Sequence, residues 1–257
     1  MNKKIKGILT IALISILIIS TTACGKKIDT MKRIDEGKKI VWGTSANFPP
    51  FELKEGTDVV GIDADVAQKI ADKLGVELIV EDMEFEALPA ALESGKVDFI
   101  AAGFTRDSRR EKTMDFTKTY FEAVQSIIVQ NENEDIKGTD DLVGKRIGVQ
   151  TGTTGDTEVA SNTEDADVKR YNTGLEAILD LKNGNLDAVV IDDLPAQMLI
   201  AQNSEVKILD EKAGDQEEYA IAVRKGDSEL LQAIDEVLKE LQDSGEMDEI
   251  ISKYYIK

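Results

Sequence analysis

The chain has 257 residues, 42% of them hydrophobic and 32% charged, and a formal net charge of −19. That length and balance describe a globular protein of one large domain or two modest lobes, and the acidity argues against nucleic acid, which needs a basic footprint. There is no His and one Cys, which removes Ser-His-Asp and Cys-His catalysis, most zinc sites and any internal disulfide.

In chain order, Lys3, Lys4 and Lys6 precede an apolar run of 13 residues, 8–20. That is shorter than the roughly 20 residues that span a bilayer, and it reads as the core of a signal peptide, 1–23. Thr21, Thr22 and Ala23 lead into Cys24. Small residues before a lone cysteine resemble a bacterial lipoprotein signal, cleaved before Cys24 and lipidated on its sulfur. Residues 24–37 are polar and unpatterned and are expected to be a tether.

IVWGTS (40–45) reads as a first strand, broken by Pro49 and Pro50, with Phe48 and Phe51 on the loop. Residues 61–75 read as a helix: Ile62, Val66, Ile70 and Leu74 share a face, Asp63 is placed to cap it, and Gly75 stops it. A strand over 76–81, a helix over 83–94 with Phe85 at its entrance, and a buried strand over 97–102 follow. Alternating strands and helices predict an α/β fold with a parallel sheet covered by helices.

Next comes a stretch that stands out in an acidic chain. Gly103 allows close backbone approach, Thr105 offers a hydroxyl and an N–H, and Arg106, Arg109 and Arg110 form a basic cluster. An arginine's planar fork matches a carboxylate, although a solvated charge run opening a helix has the same appearance. Strands are expected over 126–129 and 145–150. The second ends at Gln150 and runs into TGTTGD, where Gly152 loosens the loop and Thr153 and Thr154 present hydroxyls and N–H groups at a helix start. The loop lacks the Lys and spacing of a phosphate-binding P-loop. A helix over 193–202 capped by Asp193, strands over 205–209 and 218–224, and helices over 228–244 and 246–255 complete the chain.

A faint repeat is present. EALPAALESGKVDFIAAG and LEAILDLKNGNLDAVVID each place a Gly at a helix end and an Asp at a strand start, at an offset of 89 residues (Gly95 and Gly184, Asp98 and Asp187). The same offset sets Gly103 opposite Asp192. Both then lie past the carboxyl end of a parallel strand, where open α/β sheets bind ligands.

These stretches, with GTSANFPPFEL, VGIDADVAQKIADKLGV, MDFTKTYFEA, VGKRIGVQTGTTG and SGEMDEIISKYY, resemble bacterial extracellular solute-binding proteins of the polar amino-acid type, family 3, which feed ABC importers. The resemblance implies a periplasmic-binding-protein-like fold. Lobe 1 would span 38–119 and 222–257, lobe 2 would span 125–217, and crossover strands 120–124 and 218–221 would join them. It implies a protein that captures a polar L-amino acid by clamp closure and hands it to a permease, without catalysis, cofactor or metal, as a monomer held to the membrane only by its lipid. By motif position, Arg110 would take the ligand's α-carboxylate with the N–H groups of Thr105 and Thr154, and Thr153 would adjoin. Asp192 would take the α-ammonium, helped by Gly103 and Thr105. Phe48 and Phe85 would sandwich the stem, with Ser45 and Gln150 near its tip. A neutral Ser45 favours an uncharged ligand such as glutamine or cystine, while Glu84 or Glu52 could still serve a basic one. An exported dehydratase of the same fold, acting on a prephenate-like acid, is the enzymatic alternative.

Overall fold

A computed structural model describes residues 29–254; the expected signal peptide, Cys24 and the start of the tether lie outside the described residues. The rest of the expected tether is not a tether. Thr30–Gly37 forms a helix, α1, capped by Asp29 and anchored by a fully buried Ile34. Arg33 pairs with the buried Asp98, and Thr30 donates to Asp227 at 2.6 Å. A helix this short is marginal alone, and burying one Ile side chain, worth about 1.5–3 kcal/mol, docks it. With one fully buried apolar residue, its stripe was too thin to read in the sequence.

Two five-stranded sheets of the same construction follow. The first comprises β1 (Lys39–Thr44), β5 (Glu77–Asp82), β6 (Phe99–Ile100), β7 (Met114–Phe116) and β13 (Ala222–Arg224), in the order β5-β1-β6-β13-β7. Between β1 and β5 lie β2 (Asn47–Phe48), β3 (Glu52–Glu55) and β4 (Asp58–Val60), a small antiparallel sheet built around the two prolines. The second large sheet comprises β8 (Phe121–Gln130), β9 (Arg146–Gln150), β10 (Asp167–Tyr171), β11 (Ala188–Asp192) and β12 (Val206–Tyr219), in the order β10-β9-β11-β8-β12. In each sheet three parallel strands precede two joined antiparallel.

The repeat is visible in the hydrogen bonds. Asp98 donates its N–H to the Val41 carbonyl and accepts the Val41 N–H on its carboxylate, each at 2.8 Å. Asp187 does the same with Arg146, at 2.9 and 2.8 Å. Each aspartate therefore locks one edge of a sheet's first parallel strand.

Helices cover the sheets. Those on the first are α2 (Ile62–Leu74), α3 (Leu88–Ser94) after a tight turn at Phe85–Ala87, α6 (Ser228–Ser244) and α7 (Glu246–Tyr254); those on the second are α4 (Gly174–Lys182) and α5 (Asp193–Ile200). The α6 stripe of Leu230, Ile234, Val237, Leu238 and Leu241 is buried as its period requires. The chain passes between the sheets twice, through the start of β8 and the end of β12. There the two strands pair with each other, Phe121 opposite Tyr219 and Ala123 opposite Glu217.

Three local readings change. Asp63 does not cap α2. Gly61 occupies that position without a side-chain cap, and Asp63 is turned inward and fully buried. Asp193 does not cap α5, because Asp192 holds the cap position and makes no cap bond either. Thr154 precedes a π-helical turn of five residues, Gly155–Val159, not an α-helix, so the aligned dipole of a long helix is not available there.

Candidate functional site

The carboxyl ends of both sheets converge on one small cavity, nearly filled by its own lining. Phe48, Phe85, Gly103, Thr105 and Arg110 line it from the first sheet's side, and Gln150, Thr153, Thr154 and Asp192 from the second's. Nine of the ten expected site residues thus line one cavity. Ser45 does not. It is fully buried behind Asn47, whose Nδ2 donates to its hydroxyl at 3.1 Å. Its neutrality therefore says nothing about the ligand's charge. Glu84 is solvent-exposed and, like Glu52, is not on the wall.

Gly103 has φ +51°, and a Cβ there would lie 2.7 Å from the Phe48 ring and 3.2 Å from Tyr219. Glycine therefore lets both aromatics close over the backbone. Its N–H donates to Asp63 at 2.8 Å, and Tyr120 donates its hydroxyl to the same carboxylate at 2.7 Å. Asp63 thus braces the site from behind, a role its helix-start position concealed.

Behind it lies Glu52, fully buried, with no N–H or O–H donor to either carboxylate oxygen. Burial first, then the neighbouring Asp63, push its pKa well above the usual range. Burial also pushes Asp63 up, to about 6. Two neighbouring buried carboxyls cannot both ionise cheaply, so Glu52 keeps its proton. As pH rises from about 4.5, the unfolded state releases this proton while the folded state retains it, so stability falls. Glu52→Gln, which keeps a donor, should flatten the decline of unfolding midpoint as pH rises above about 4.5. An unchanged slope in a chemical-denaturation series would refute the retained proton.

Arg110 is 4% exposed, with its Cζ 4.0 Å from the centre of the Phe104 ring. Nη1 donates to the Thr105 carbonyl at 2.6 Å, Nη2 donates to the Gly152 carbonyl at 3.0 Å, and Nε lies 3.3 Å from Asp107. Burial lowers its pKa to about 10, so it stays protonated. Two of its five N–H groups go to carbonyls and one faces Asp107. One on each terminal nitrogen remains. The bond to Gly152 crosses between the lobes. Arg106 and Arg109, by contrast, are exposed and paired with Glu111 and Asp107; they are the solvated part of the charge run.

Asp192, also 4% exposed, accepts the Tyr219 hydroxyl at 2.5 Å. Burial, followed by the charge of Glu217, raises its pKa to about 7. A cation placed beside it would remove that penalty. Gln150 donates Nε2 to the Asn172 carbonyl at 3.0 Å and to Asn47 Oδ1 at 3.2 Å, and its buried Oε1 has no donor. The backbone carbonyl fixes which end of the amide is which.

Sequence reading missed Asn47, Asp63, Gln125, Glu217 and Tyr219 as parts of this environment. None belongs to a motif with a chemical signature: Asp63 looks like part of a helix start, Asn47 is a neighbour of Phe48, and Gln125, Glu217 and Tyr219 arrive through the pairing of β8 and β12.

The model of bacterial extracellular solute-binding proteins, family 3, matches residues 40–257. The chain belongs to that family. Among its relatives, the arginine-binding extracellular protein ArtP of Bacillus subtilis is 33% identical over 249 residues, covering 93% of this chain and 94% of that one. The ABC transporter glutamine-binding protein GlnH of Bacillus subtilis is 32% identical over 268 residues, covering 97% of each. A solved ancestral arginine-binding protein bound to arginine is 41% identical, with a TM-score of 0.80, covering 85% of this chain and 99% of that one. The two-lobed α/β fold of the family is the fold found here. These relatives are named for binding and transport, so the dehydratase alternative has no support.

Proposed function

We propose that this family member captures a polar L-α-amino acid between its lobes and delivers it to an ABC transporter permease, without chemistry. The observation that carries this is one small cavity bounded by a single buried arginine, from the turn after the first sheet's β6, and a buried aspartate, at the end of the second sheet's β11. A zwitterion leaving water loses several kcal/mol of hydration at each charge unless both are met. Arg110 would meet the carboxylate and Asp192 the ammonium, and only the closed form offers both, so ligand favours closure. The lobes would be 38–119 with 222–257, and 125–217, hinged at 120–124 and 218–221. Lipidation at Cys24 would keep the protein on the outer face of the membrane as a monomer beside its permease.

The unpaired Oε1 of Gln150 favours a side chain bearing an N–H donor. Arginine, histidine and glutamine meet that condition and glutamate does not. With Ser45 off the wall, the reason to prefer an uncharged ligand is gone.

Mass spectrometry of small molecules that co-purify with the protein lacking residues 1–23, followed by calorimetric titration, tests the reading. One polar amino acid bound per chain is expected. No binding across the standard L-amino acids, or turnover of a prephenate-like acid, would contradict it.

A further inference from the structure

Glu217 lies where β12 pairs with β8 between the lobes, and its carboxylate collects three donors. Oε2 accepts the hydroxyl of Thr105 at 2.6 Å and that of Thr154 at 2.7 Å. Oε1 accepts the Gln125 amide at 3.1 Å. The two threonines come from opposite lobes and both line the cavity, whereas Glu217 stands behind them.

A hydroxyl has one proton and two lone pairs. Both protons here are committed to one carboxylate oxygen, and short bonds to an ionised acceptor are strong. What the threonine oxygens have left for the cavity is lone pairs, even though Thr154 also accepts from Gln125 at 3.1 Å. Asp192, on the same wall, is likewise an acceptor, and the nearby Tyr219 proton is already given to it. A protonated amine has three protons to offer such a set, whereas a hydroxyl has one.

We infer that Glu217 is a positioning residue for the ligand's α-amino group: by holding the hydroxyl protons of Thr105 and Thr154 away from the cavity it makes their oxygens acceptors, selects an ammonium over an α-hydroxyl, and ties the lobes together. This rests on the amino-acid reading proposed above. Without Glu217 the two hydroxyls turn, and a proton on either one would meet the ammonium's protons or donate to an α-hydroxyl oxygen.

The test is a ratio of affinities. The standard L-amino acids are titrated one at a time into wild-type protein and Glu217→Met, which keeps length and removes the acceptor. The α-hydroxy acid carrying the same side chain as the tightest binder is titrated into both. The amino acid should weaken about tenfold in the variant, one charge-assisted hydrogen bond's worth, while the hydroxy acid holds or improves, so the preference falls about tenfold. Glu217 is only half-buried, and Glu217→Leu serves if the Met variant does not fold. An unchanged ratio, including equal loss for both compounds, would mean Glu217 only supports the fold and would overturn the inference. A wild type that binds none of the amino acids would instead overturn the functional reading on which it rests.

Discussion

Arg110→Ala should weaken amino-acid binding by at least an order of magnitude. Removing one partner of a buried charge pair costs ~2–5 kcal/mol, and each ~1.4 kcal/mol is tenfold in affinity. The geometry adds a second loss. Arg110 also donates across the cleft to the Gly152 carbonyl, so the variant forfeits a contact of the closed form along with the carboxylate's partner. Arg110→Lys should recover only part of the affinity, because one ammonium cannot serve Thr105, Gly152 and a ligand carboxylate in the planes a guanidinium reaches. Calorimetric titration against the wild type's ligand is the check, and near-native affinity in Arg110→Ala would remove Arg110 from the site.

Asp192→Asn should lose most of the ligand-induced stabilisation while leaving the ligand-free protein folded. Asparagine keeps the oxygen that accepts from Tyr219, so the local packing survives. The charge is what changes. In the arrangement described, with the lobes in contact, burial and then Glu217 push the Asp192 carboxyl up to about 7. The unfolded carboxyl ionises near 4, so it releases its proton first, and wild-type stability declines as pH rises from about 4 to about 7. That decline should be smaller in Asp192→Asn, making the variant slightly more stable than wild type at pH 8 without ligand. With saturating ligand the order reverses, since binding to the folded state raises stability by mass action only where affinity survives. Wild-type affinity should also fall as pH drops below about 7, where protons compete for Asp192. Small-angle scattering adds a conformational readout: wild type compacts on adding ligand and the variant does not. Compaction of Asp192→Asn at the same ligand concentration would make Asp192 a structural residue.

Much of this was legible in the sequence because periodicity and glycine placement report on local structure. The α2 and α6 stripes, the stop at Gly75, and the offset that paired Gly103 with Asp192 all led to the right elements. The residues that failed did so for identifiable reasons. Asp63 looks like a cap because it follows a glycine at a helix start, and only tertiary structure shows Gly103 and Tyr120 claiming its carboxylate. β10 is an edge strand whose residues are half-buried or exposed, so its sequence DVKRY carries no apolar run. Ser45 sits one residue past β1 and was expected to point at the ligand, but Asn47 covers it. Glu217 lies in an acidic stretch, DQEEY, that reads as solvated until β8 and β12 pair and bring Thr105 and Thr154 to it.

A crystal structure of the protein with its co-purified or titrated amino acid tests the central claim most directly. The account predicts the α-carboxylate on the terminal nitrogens of Arg110 at about 2.7–2.9 Å, the α-ammonium on Asp192, and the side chain between Phe48 and Phe85 with a donor toward Gln150. An amino acid bound elsewhere, or seated with its ammonium away from Asp192, would contradict it.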